Sequence, residues 1–213
     1  MSDYKIDDER MLEIIEKDND LFQMENQMSQ VQNRMKILEA GRKCIDAYKR
    51  GNKVIVAGNG GSAADAQHIS AEFTGYFDDR ERRALNAIAL HCDTSAVTAI
   101  SNDLGYELVF SRLIEAYGNE GDVFIAITTS GNSPNILRAI EEAKKRKLYT
   151  IVLLGGDGGK AKDIADLSLV ACSSYTPSIQ GIHSRFYHPI CKIVDLEFSE
   201  KAEKGIEKIM KRL

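Results

Sequence analysis

The 213-residue sequence contains no CxxC pair, no membrane-length apolar run and no surplus of basic residues. Its four cysteines, Cys44, Cys92, Cys172 and Cys191, are too scattered for a disulfide framework, which fits reduced thiols and a cytoplasmic setting. The polar start MSDYKIDDER is unlike a signal peptide, and no apolar stretch approaches the roughly 20 residues of a membrane span. A formal net charge of -4, with basic residues spread along the chain, points away from a nucleic-acid surface. Repeats, low-complexity tracts and interdomain linkers are also missing. What remains is a globular chain, 43% hydrophobic, able to bury one core.

Proline is absent from the first 50 residues and Gly41 is the lone glycine there, so residues 7–50, rich in Glu, Lys, Gln, Met and Leu, read as a helical arm. Met24, Met28, Val31, Met35 and Leu38 recur at helical spacing and form an apolar stripe. That stripe packs either on the parent domain or on another subunit. Residues 51–213 form the domain proper. Five short apolar runs, at 53–58, 85–90, 122–128, 149–154 and 167–171, read as strands buried on both faces. Helical stretches at 62–75, 94–117, 133–147 and 159–165 separate them, and a long helix at 178–211 closes the chain. This alternation predicts a five-stranded parallel sheet in a three-layer αβα sandwich. Ligands of such folds sit at the carboxyl ends of the strands, beside a topological switch point.

Two loops qualify there. Gly58-Asn59-Gly60-Gly61-Ser62-Ala63 satisfies the G-x-G-x-x-A pattern of dinucleotide sites, but the acidic residue expected about 20 positions on is misplaced. Asp78 and Asp79 precede the second strand, and Asp93 lies too far along. After the third strand, Thr128-Thr129-Ser130-Gly131-Asn132-Ser133-Pro134 brings four hydroxyls and a turn to a helix start, a phosphate-binding combination. Ser133 and Pro134 also read as a helix cap and first turn. No P-loop lysine is present, which favours a sugar phosphate over a triphosphate.

His68 and Glu72 stand four apart on one helix face, suited to a divalent metal or to proton transfer. The segment SIQGIHSRFYHPI, residues 178–190, adds Gln180, His183 and His188. At 100° per residue, Gln180 lies about 60° from His183 and about 80° from His188 on the other side, so helix geometry does not choose between the histidines. Pro189 predicts a kink, because it removes a hydrogen bond to the carbonyl of Arg185.

The ordered motifs GNGGSAADAQH, NDLGYE, TTSGNSPN, GGDGGK and IQxxH, over about residues 35–197, resemble the sugar isomerase (SIS) domain of bacterial phosphoheptose isomerases. The resemblance implies conversion of sedoheptulose 7-phosphate to D-glycero-D-manno-heptose 7-phosphate, the first step of activated-heptose synthesis for surface polysaccharides such as lipopolysaccharide or capsule. It implies zinc held by His68, Glu72, Gln180 and His188. Substrate would meet Asn59, Gly60, Gly61, Glu72, Asn102, Asp103, Thr128, Thr129, Ser130, Ser133 and Gln180. Glu72 is the implied base and His188 the candidate acid, with ligation competing for His188. A homotetramer built through the arm is expected as well. Gly181, Tyr76 and Pro189 depart from the family pattern at positions that commonly hold glutamate, arginine and another residue. A sister group of non-catalytic adaptors for the replication initiator shares most of these motifs but commonly lacks the histidine at 188. A sugar-phosphate-sensing regulator would need a DNA-binding domain, and the arm shows no helix-turn-helix.

Overall fold

The structure is a computed structural model and describes residues 8–200. Its strands are β1 (Val54–Gly58), β2 (Ala87–Ala89), β3 (Val123–Ile127), β4 (Tyr149–Gly155) and β5 (Leu167–Ala171). All pair in parallel, in the order β2-β1-β3-β4-β5. Along β1, Val54 and Val56 point into one core while Ile55 and Ala57 point into the other, so every residue of that strand is buried. The expected sandwich is therefore present. The chain leaves β1 for β2 on one side and returns to β3 on the other. This is the switch point, and both loops picked out in the sequence open onto it.

Helices α1 (Asp8–Lys49), α2 (Gly61–Thr74) and α7 (Thr176–Phe198) cover one face of the sheet. The other face is covered by α4 (Val109–Tyr117) and α5 (Pro134–Lys145), with α3 (Thr94–Asp103) and the short α6 (Ala161–Ile164) completing the chain. The expected single helix over 94–117 is in fact two. The break falls at Gly105, whose φ of 102° is a conformation that side chains beyond glycine rarely adopt. The last helix starts at Thr176 and stops at Phe198, short of the expected 211; residues 201–211 of that expectation lie outside the described residues.

The arm divides in two. Its C-terminal half is core: Ala40, Cys44, Ala47 and Tyr48 are buried beneath the sheet. Further towards the N-terminus the contact with the sheet is polar. Asn33 bonds both the carbonyl and the N–H of Val170, at 2.9 and 3.1 Å, while Ser29 accepts from the Cys172 N–H at 2.7 Å and Lys36 donates to the Ser168 carbonyl at 2.9 Å. Spaced at 29, 33 and 36 on one helix face, these side chains take up backbone groups that edge strand β5 would otherwise leave open. The apolar stripe points elsewhere: Met24, Met28, Val31 and Met35 are all exposed, Val31 at 75%. No helix among the described residues is long and apolar enough to cross a membrane.

Candidate functional site

The loop after β1 delivers Asn59, Gly60 and Gly61 to the switch point, and α2 begins at Gly61. A side chain on Gly61 would collide with the Gln180 amide, so that amide rests against the loop only because glycine stands there. Asn59 and Asn135 exchange paired amide hydrogen bonds at 3.0 and 2.9 Å, tying this loop to the start of α5. Tyr106 donates its hydroxyl to the same Asn59 oxygen at 2.9 Å.

Facing the glycine loop are Thr128, Thr129 and Ser133, and the two loops border a cavity of about 290 Å³ that Gln180 and Thr176 close from α7. Ser133 stands at the N-cap of α5 with Pro134 after it, but its side chain makes no capping bond, contrary to the sequence reading. Its Oγ lies 3.2 Å from Thr128 Oγ1 instead, so two hydroxyls are paired over the cavity. The proline at the first helical position already removes one N–H that a cap would serve. Ser130 is turned aside and its hydroxyl accepts from the Asn132 N–H at 3.2 Å. Asn102 and Asp103 are exposed at the end of α3 and bonded to each other at 2.7 Å. Neither borders the cavity.

Two turns along α2 from the loop, His68 Nε2 lies 2.9 Å from Glu72 Oε1. His188 reaches the same place from α7, with its ring centroid 5.0 Å from that of His68. One ligand atom from each of His68, Glu72 and His188 falls within 4.8 Å of the others. Burial, followed by the charge of His68, lowers the pKa of His188, with Glu72 opposing. A neutral imidazole with a free lone pair is what a divalent metal requires. Two nitrogens and a carboxylate at these separations fit zinc, and Gln180 stands two turns earlier on α7. His183 is elsewhere. It is buried, its Nε2 donates to the Leu154 carbonyl at 3.0 Å, and burial lowers its pKa to about 4.

A SIS domain family model matches residues 22–155. A phosphoheptose isomerase from Nitratiruptor sp. is 56% identical over 155 residues, 73% of this chain and 82% of the relative. The chain belongs to the phosphoheptose isomerase family. Among solved structures, the phosphoheptose isomerase of Neisseria gonorrhoeae superposes with a TM-score of 0.82 at 36% identity, covering 87% of this chain and 98% of that one. That of Francisella tularensis gives 0.78 at 34% identity, over 85% and 97%. The chain is thus an isomerase with the SIS fold, and these relatives lend no support to the adaptor reading.

Sequence reasoning overlooked several residues in and around this candidate site. Asn135 and Tyr106 lie inside motifs already singled out, but their partner Asn59 is distant in sequence. Arg82 and Asp195 form a buried ion pair at 2.7 Å. Arg82 also donates to the carbonyls of Glu72, Phe73 and Gly75, while Asp195 accepts the N–H groups of Phe77, Asp78 and Asp79. The pair therefore clamps the end of α2, which carries Glu72, to α7, which carries His188. Gly181, where the family commonly has glutamate, lies against the Phe22 ring, which would have to shift to admit a side chain there. Tyr76 is exposed beneath the Arg80 guanidinium.

Proposed function

We propose that the protein isomerises sedoheptulose 7-phosphate to D-glycero-D-manno-heptose 7-phosphate in the cytoplasm, with zinc as its cofactor, in the service of surface polysaccharide synthesis. The observation that carries this reading is the convergence of His68, Glu72 and His188 beside a hydroxyl-lined cavity. Gly61 and His68 are seven residues apart on α2, about 10 Å along its axis, a span that suits an extended phosphorylated sugar. The phosphate would sit at Thr128, Thr129 and Ser133, with Ser130 on the same loop, and the sugar would run along α2 past Asn59, Gly60, Gly61 and Gln180. Asn102 and Asp103 lie near this path only through Tyr106, which joins their segment to Asn59.

His68, Glu72 and His188 would hold the zinc; Gln180, two turns earlier on α7, lies against Gly61 and would have to turn towards the ion to serve as a fourth donor. When bound there, the ion would supply Lewis-acid polarisation of the ketose carbonyl. Glu72 has one oxygen against His68, leaving the other to move a proton between C1 and C2 through the enediol. His188, whose pKa burial pushes down, is better suited to donate a lone pair than to act as the acid. The exposed stripe of Met24, Met28, Val31 and Met35 supports a homotetramer assembled through the arm. Incubating the zinc-supplied protein with sedoheptulose 7-phosphate and resolving the sugars by chromatography tests the activity. An aldose heptose phosphate is expected, and unchanged ketose would refute the reading.

A further inference from the structure

The metal-side reading leaves two polar groups without a task. Tyr187 is buried, next to His188, and its Oη lies 3.2 Å from Asp65 Oδ1 and 3.2 Å from His68 Nδ1. The other Asp65 oxygen is buried with no hydrogen-bond partner among the described residues. A phenol has one proton to give. A carboxylate can only accept, so the Tyr187 proton goes to Asp65, and Oη must then accept from His68. His68 therefore carries a proton on Nδ1 and, as a neutral ring, presents the Nε2 lone pair. That lone pair is 2.9 Å from the Glu72 carboxylate, an acceptor facing an acceptor, an arrangement made favourable by a cation between them.

We propose that Tyr187 and Asp65 are positioning residues that fix His68 as its Nδ1–H tautomer, so that Nε2 is directed at the metal position shared with Glu72 and His188. The inference rests on the metal site proposed above. Its chemistry is specific to the donor order. If the proton sat on Asp65, each bond in the row would reverse, Tyr187 would donate to His68, and Nε2–H would block the metal. The ring of Tyr187 packs edge-on against His68 and His188, with centroids 5.5 and 4.7 Å away, so Tyr187→Phe keeps the packing and removes only the relay.

The test has two readouts, neither of which is turnover. In metal-free full-length protein, ¹⁵N shifts of the His68 ring should report Nδ1–H, and Tyr187→Phe should lose that preference. Zinc affinity, measured by competition with a chromogenic chelator, should fall 10- to 100-fold in Tyr187→Phe, the usual effect of removing a group that orients a metal-binding histidine. Asp65→Asn, whose amide can donate to Oη and turn the row around, should weaken zinc similarly, and the double variant should lose little more than either single one. Should Tyr187→Phe fail to fold, Asp65→Asn carries the affinity test. An Nε2–H tautomer in the wild type, or wild-type zinc affinity in the folded variant, would overturn the proposal. A protein with the expected tautomer but no isomerase turnover would defeat the functional reading and leave this one standing.

Discussion

The side-chain amide of Gln30 in α1 donates to the carbonyl of Arg185 in α7 at 3.3 Å. That carbonyl is the one that Pro189 cannot serve, because proline has no N–H for the residue four positions earlier. α7 nevertheless runs from Thr176 to Phe198 with Pro189 inside it. The arm thus supplies a donor that the helix lacks, close to His188. Gln30→Ala should cost about 1 kcal/mol in the wild type, a typical net hydrogen-bond contribution. In a Pro189→Ala background, where the restored backbone N–H can donate to the same carbonyl, the cost should nearly vanish. Chemical denaturation of the four proteins in this cycle measures the coupling, and equal costs in both backgrounds would remove Gln30 from that role.

His183 and His188 should separate cleanly. His188→Asn is expected to lower zinc affinity by well over tenfold, whereas His183→Asn should leave metal content near that of the wild type, since His183 faces Leu154. Metal content by mass spectrometry checks both. The buried His183 also affects stability. Its folded pKa of about 4 lies below the ordinary 6.5, so the unfolded chain binds the extra proton first as pH falls. The stability it confers is complete above pH 6.5 and is lost towards pH 4. This is worth up to about 3 kcal/mol. Unfolding free energies across that window should show a shallower slope in His183→Asn than in the wild type.

The strands, the layer order and the two loops that open onto the switch point were legible in the sequence because a parallel sheet buried on both faces leaves continuous apolar runs. The His68–Glu72 pair was legible because helical spacing alone brings residues four apart together. The choice of His188 over His183 was not, since it depends on which side of α7 meets the sheet. The arm was legible only in part, since its sequence left the partner of the apolar stripe open between the parent domain and another subunit. Its conspicuous apolar stripe faces outward, while the contact with β5 is made by Ser29, Asn33 and Lys36, polar residues whose spacing looks like an ordinary solvated face. Tertiary hydrogen bonds such as Asn59–Asn135 and Arg82–Asp195 leave no local pattern at all.

Binding of the substrate's phosphate should depend on the loop after β3. Ser133→Ala removes the partner of Thr128, and Ser130→Ala removes the acceptor for the Asn132 N–H, which holds the turn. The double variant should raise KM at least tenfold with a smaller change in kcat, as expected for lost uniform binding. Wild-type protein should also use unphosphorylated heptulose far less well. Equal kcat/KM for the two sugars would argue against a phosphate site here.

The exposed arm residues should report assembly. Val31→Lys combined with Met35→Lys places two charges on the apolar stripe without touching the side that bonds β5. Light scattering should show a tetramer for the wild type and smaller species for the variant. A variant of unchanged mass would place the subunit contacts elsewhere.

The most direct measurement is the reaction itself, followed by NMR in D₂O with zinc-supplied protein and sedoheptulose 7-phosphate. The wild type should form an aldose heptose phosphate carrying solvent deuterium at C2, the mark of proton transfer through an enediol. Glu72→Gln, folded as judged by circular dichroism, should be slower by 10²- to 10⁴-fold. No aldose from the wild type, or a Glu72→Gln variant that keeps more than about a tenth of its turnover, would contradict the account.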